Sequence, residues 1–208
     1  SNGQYIFTLT VYRDCTGINL NTNPQTIIGP INVTCTYIPA LSGDVSPSCP
    51  DAAYELKCSD QDDGAIEKFV WRSSPVSLNG VPPATGWEFS WTGNARPTLM
   101  NGQGNTNYYL RSKMYPYTPP GSNQPLNTNT CFDNSPVFAQ DANAVTCPNY
   151  LYTFNHLPSD KDIVSLIFDW AQPLIGATQP YAFNAGYNQT SPFPDGTENA
   201  SNGPNTLD

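Results

Sequence analysis

The chain has 208 residues, of which 12% are charged, 12% are aromatic and 38% are hydrophobic, with a net charge of −9. This apolar content is enough for a core and excludes a disordered chain. No apolar run is long enough to cross a bilayer as a helix. The eight scattered Lys and Arg exclude a surface built to neutralise nucleic-acid phosphates.

In chain order, the apolar period is two. Tyr5, Phe7, Leu9 and Val11 alternate with Ile6, Thr8, Thr10 and Tyr12, β-branched and aromatic residues that predict a strand. Further strands are predicted over Ile27–Tyr37, Ala53–Lys57, Ile66–Trp71, Trp87–Trp91 and Tyr108–Met114. Beyond a Pro-rich stretch at 116–130, the pattern predicts strands at Pro136–Phe138, Tyr150–Phe154 and Leu166–Trp170. Clusters such as Ser42-Gly43-Asp44 and Asn101-Gly102-Gln103-Gly104 punctuate them as turns. The best helical candidate, around 159–170, carries Asp and β-branched residues where a helix favours Ala, Leu or Glu. The expected fold is therefore all-β, with no substantial helix.

The six cysteines, Cys15, Cys35, Cys49, Cys58, Cys131 and Cys147, form no C-x-x-C pair, which excludes zinc-ribbon and thioredoxin-like sites. Their even number suggests disulfides and an oxidising, extracellular compartment. Short loops close most easily, so the expected pairing is sequential: Cys15–Cys35, Cys49–Cys58 and Cys131–Cys147. The plainer alternative is that some are free and buried. One histidine, His156, cannot build a catalytic triad or a multi-His zinc site. The absence of an initiator Met and of a signal peptide leads to the expectation of a processed chain. Sequons at Asn32, Asn188 and Asn199 carry little weight in an Asn- and Thr-rich chain.

The run Gln4-Tyr5-Ile6-Phe7-Thr8-Leu9-Thr10-Val11-Tyr12-Arg13-Asp14-Cys15 resembles the opening of large "gliding motility-associated-like" surface proteins of the Bacteroidota, which are exported by the type IX secretion system. Val45-Ser46-Pro47-Ser48-Cys49-Pro50, Ile66–Trp71, Trp87–Trp91, Asn134–Phe138 and Tyr152–His156 resemble later segments of that family, in the same order. The resemblance implies β-sandwich modules of an adhesin or structural surface protein. It also departs from the family: Thr92-Gly93-Asn94-Ala95-Arg96 stands where the family has a Cys-Cys-Arg-Asn turn. Asp160-Lys161-Asp162 lacks the family's turn Gly and third Asp.

Four constellations bear on chemistry. Asp133-Asn134-Ser135-Pro136-Val137-Phe138 resembles a cadherin-type domain entry and Asp160-x-Asp162 its carboxylate pair, so Asp133, Asn134, Asp160 and Asp162 are candidate ligands for calcium, which takes six to eight hard oxygens. The plainer reading is backbone capping in turns. The acidic loop Ser59-Asp60-Gln61-Asp62-Asp63-Gly64 is favoured as a solvated turn, because it lacks the later bidentate Glu of an EF-hand. Trp91, Tyr115 and Tyr117 are candidates for stacking on sugar rings, although Trp87, Phe89 and Trp91 alternate as core residues do. Glu55, Glu67 and Glu88 lie on predicted strands, but nothing in their spacing fixes a hydrolytic pair.

The expectation is two immunoglobulin- or cadherin-like β-sandwiches with long loops, at 1–130 and 131–208, the second incomplete at its C-terminal end. The protein is expected to be extracellular or at the cell surface and non-enzymatic, with calcium as the one candidate cofactor. Its expected role is a module of a large adhesin or structural protein. The alternatives are a filament or sheath subunit completed by strands from neighbours, and a carbohydrate-binding module. Expected partners are modules of the same chain, neighbouring subunits and surface glycans, with no nucleic acid and no direct membrane insertion.

Overall fold

A computed structural model describes residues 4–47, 55–98, 101–118, 121–124, 134–141, 155, 157–161 and 165–192. The fold is all-β. Among the described residues the only helical pieces are single 3-10 turns at Pro39–Leu41 and Cys58–Asp60. The strands are β1 (Gln4–Tyr5), β2 (Thr8–Asp14), β3 (Gln25–Ile27), β4 (Val33–Tyr37), β5 (Gly43–Asp44), β6 (Ile66–Ser73) and β7 (Val76–Ser77). They continue with β8 (Trp87–Gly93), β9 (Tyr108–Met114), β10 (Val137–Phe138), β11 (Pro158–Ser159), β12 (Leu174–Gly176) and β13 (Gln179–Pro180).

The main sheet is antiparallel in the order β2-β6-β4-β3, with β5 also on β6. β6 organises it. Leu9 and Tyr37 both lie opposite Trp71, while Val11 lies opposite Phe69. Because side chains alternate across a strand, this register puts Leu9, Val11, Val33, Cys35, Tyr37, Phe69 and Trp71 on one face. That face is the core. β8 adds Phe89, with Trp87 and Trp91 partly buried around it, and β9 adds Met114. Phe7 and Phe89 stand 4.9 Å apart, a favourable tilted pair. Ile28 and Ser90 exchange backbone hydrogen bonds of 2.8 and 2.7 Å, tying the end of β3 to β8. Gly29 makes that approach possible: a Cβ there would lie 2.6 Å from the Phe89 ring.

The long first strand is divided. β1 pairs with β7 and β2 with β6, and the chain passes between these partners at Ile6–Phe7. Phe7 and Ser73 hold the crossing, because each backbone N–H is bonded by the other residue, to Ser73 Oγ and to the Phe7 carbonyl, both at 2.9 Å. The Ile27–Tyr37 run is likewise two strands around a turn containing Gly29-Pro30.

The chain divides into two compact units. One takes in Ser1–Trp91, Arg111–Asn143 and Asn155–Leu166, and contains the core above. The other takes in Thr92–Leu110, Ala144–Phe154 and Ile167–Asp208. In it, Arg96 lies 4.1 Å from the ring centre of Tyr108 and 4.6 Å from that of Tyr181, and β12 pairs with β13. This division differs from the expected boundary at 130/131.

Two expectations need correction. Leu166–Trp170 forms no strand, although its residue types suit one; the Trp170 N–H turns onto the Asp169 carboxylate at 2.8 Å, and Ile167 is 94% exposed. Residues 55–57 are also outside any strand, with Lys57 N–H turned instead onto the Asp62 carboxylate at 2.9 Å. The predicted strand at Tyr150–Phe154 lies outside the described residues.

Candidate functional site

The cysteine chemistry is the clearest local feature. Cys15 ends the β2 segment, and its N–H bonds the Ala65 carbonyl at 3.0 Å, just before β6. That pairing brings it to Cys58, and the two form a disulfide across 43 residues with a Cα–Cα distance of 5.1 Å. The expected Cys15–Cys35 and Cys49–Cys58 pairs are therefore wrong. The reason is the sheet: Cys35 points into the core face of β4, opposite Ser73, and is fully buried as a free thiol. Burial raises its pKa, which keeps it protonated and inert. Cys49, Cys131 and Cys147 lie outside the described residues, and so does the expected Cys131–Cys147 pair.

The acidic loop is a capping structure. The carboxylate of Asp62 accepts the Lys57 N–H, and Ala65 N–H closes the turn on the Asp62 carbonyl at 3.0 Å. Asp44 accepts the Cys58 N–H at 2.8 Å, the Ser46 N–H at 2.8 Å and the Ser46 hydroxyl. Slight burial pushes the Asp44 carboxyl up, but these hydrogen bonds outweigh it and hold the group below the usual carboxylate range. A cavity of about 350 Å³ beside this loop is lined by Asp44, Ser46, Glu55, Leu56, Lys57 and Ser59, among others. Its acids are engaged, since Glu55 pairs with Lys57 at 2.8 Å. Gln61 adopts a left-handed φ of 56°, which ends the 3-10 turn.

Of the calcium candidates, Asn134 and Asp160 are described, whereas Asp133 and Asp162 lie outside the described residues. Asn134 lies just before β10, and Asp160 directly after β11, the strand that pairs with β10. Among the described residues, no three His, Cys, Asp or Glu gather as metal ligands. His156 also lies outside them.

The aromatic candidates are not presented alike. Trp91 is half-buried at the margin of the core, and its indole N–H donates to Gln25 Oε1 at 3.1 Å. Tyr115 and Tyr117 follow β9 and are 52% and 42% exposed. Tyr115 borders Gly86, whose φ of +78° and close ring contact leave little space for a side chain. Of the strand carboxylates, Glu67 pairs with Arg13 at 2.9 Å and Glu88 lies 3.6 Å from Lys113.

Sequence reasoning missed the other face of the main sheet. Lys68 of β6 donates to both carboxylate oxygens of Asp141, at 2.8 and 3.0 Å, and the Tyr12 hydroxyl donates to the same group at 2.8 Å. Tyr12 and Lys68 are opposite each other in register, a pairing that becomes visible only once β2 and β6 are aligned.

These features define a disulfide-linked all-β protein. Among the described residues no helix is long and apolar enough to cross a membrane. No protein-family model, curated protein or solved structure matches the chain.

Proposed function

We propose that the chain is a non-enzymatic, extracellular β-sandwich module of a large cell-surface adhesin or structural protein. The observation that carries this reading is the disulfide between Cys15 and Cys58, which links the end of β2 to the loop before β6 in the main sheet. Such a bond persists in oxidising compartments and resists unfolding of a module under load. The engaged acids of the 44–62 region fit a scaffold better than a reactive cleft. Antibody labelling of intact source cells tests the reading. Labelling without permeabilisation is expected; labelling only after permeabilisation would overturn it.

A second reading, a subunit completed by strands from neighbours, is favoured by the apolar Leu166–Trp170 segment, which forms no strand and is largely exposed. Calcium at Asp133, Asn134, Asp160 and Asp162 remains a proposal that rests on the sequence resemblance. Carbohydrate binding is supported only by the exposure of Tyr115 and Tyr117, since Trp91 is drawn into the core margin.

A further inference from the structure

We propose that Asn79 is a site of spontaneous deamidation, where the side-chain amide is converted to aspartyl and isoaspartyl products while the fold stays intact.

The neighbouring residue carries the chemistry. In an Asn-Gly pair the glycine nitrogen has no adjacent Cβ to hinder it, and the backbone is free to turn. Asn-Gly occurs four times, at 2–3, 79–80, 101–102 and 202–203. The first and last pairs lie outside the described residues. The other two occupy opposite environments.

Asn79-Gly80 lies in the loop between β7 and β8, and both residues are exposed. Among the described residues nothing hydrogen-bonds the Asn79 carboxamide or the Gly80 N–H. Gly80 has a φ of +91°, and a Cβ there would meet no atom within 4 Å. No contact holds the Gly80 nitrogen away from Asn79 Cγ, and ring closure between such neighbours draws on their proximity. Asn101-Gly102 is held instead. Asn101 Nδ2 donates to the Pro192 carbonyl at 2.8 Å, and the Asn101 carbonyl accepts the Asn184 N–H at 3.0 Å. Gly102 is buried, with the Tyr181 ring packed where a Cβ would stand. Turning this backbone towards its own side chain would break those contacts.

The reaction balances with water alone. The Gly80 nitrogen bonds to Asn79 Cγ and its proton passes through solvent to the departing amide nitrogen. The Cγ–Nδ2 bond breaks and ammonia leaves. The cyclic imide then takes up one water. Opening between the nitrogen and Cγ leaves Asp; opening between the nitrogen and the α-carbonyl leaves isoaspartate, with the backbone rerouted through Cγ. Either product adds a carboxylate, ionised at neutral pH, to a chain already at −9. Leu78 packs against the core, so the change is confined to the exposed loop beyond that anchor.

The test is incubation of the folded 208-residue chain at neutral and mildly alkaline pH, followed by peptide mapping with mass spectrometry. Cleavage after aromatic residues separates the two sites, because Trp87, Phe89 and Trp91 lie between them. Expected is progressive exchange of amide for acid at Asn79, as two isomeric peptides, faster at the higher pH, with Asn101 unchanged. In urea, Asn101 is expected to convert as well. Asn79→Gln is expected to lose both products, because the longer side chain would have to close a larger ring. An Asn79 that stays amidated in the folded chain, or converts no faster there than Asn101, overturns the proposal. An Asn101 that stays inert in urea overturns the part assigned to the fold.

Discussion

Asp141 accepts hydrogen bonds from side chains 129 and 73 residues away in sequence, so its titration reports on tertiary structure. Burial raises its pKa, but the Lys68 and Tyr12 hydrogen bonds and the Lys68 charge together lower it below the usual range. A carboxyl lowered on folding stabilises the protein above its unfolded pKa, about 3.9 for Asp. That contribution is lost as pH falls through this value towards the folded one. Replacing Asp141 with Asn is therefore expected to lower the urea midpoint at neutral pH and to flatten its acid dependence below about pH 4. Equal loss of stability at neutral and acid pH would contradict the assignment. Gly29 is a steric counterpart: Gly29→Ala drives a Cβ into the Phe89 ring and is expected to cost about 1–3 kcal/mol in denaturant unfolding. A neutral result would mean that Phe89 relaxes freely, contrary to its buried position.

At the scale of elements, β6 carries the core. Phe69→Ala is expected to cost about 3–5 kcal/mol in chemical denaturation, because it removes a ring buried against Tyr37 and Trp71. The Cys15–Cys58 link closes a loop of 43 residues, and chain-entropy reasoning puts its contribution at about 4 kcal/mol. Reduction is expected to lower the denaturant midpoint strongly, whereas the Cys35 thiol should remain unreactive until unfolding.

β2 and β8 were legible because their apolar residues alternate, Leu9 with Val11 and Trp87 with Phe89 and Trp91, and join the face that must be buried. The disulfide was not legible. Loop length favoured neighbouring cysteines, but the register of β4 against β6 turns Cys35 into the core and leaves Cys15 beside Cys58. Leu166–Trp170 shows the converse limit: its residue types favour a strand, yet the segment is irregular, because propensity is a weak and context-dependent guide. The candidate sites were less legible still. Trp91 obeyed the core alternation rather than the surface one, and the Tyr12–Lys68–Asp141 set depends on long-range register.

At the scale of the molecule, the chain is an all-β scaffold with an acidic net charge and, among the described residues, one disulfide. If calcium bridges Asp133, Asn134, Asp160 and Asp162, millimolar calcium is expected to raise the thermal midpoint relative to EDTA; an unchanged midpoint would remove calcium from the account. The proposed extracellular role requires that this scaffold work in an oxidised state, with Cys15 and Cys58 linked. The most direct measurement is a non-reducing peptide map of the protein isolated from its source, with free thiols blocked at lysis. The account predicts a Cys15–Cys58 linked peptide and an unlinked Cys35. Blocked thiols at both Cys15 and Cys58, or a Cys15–Cys35 link, would contradict it.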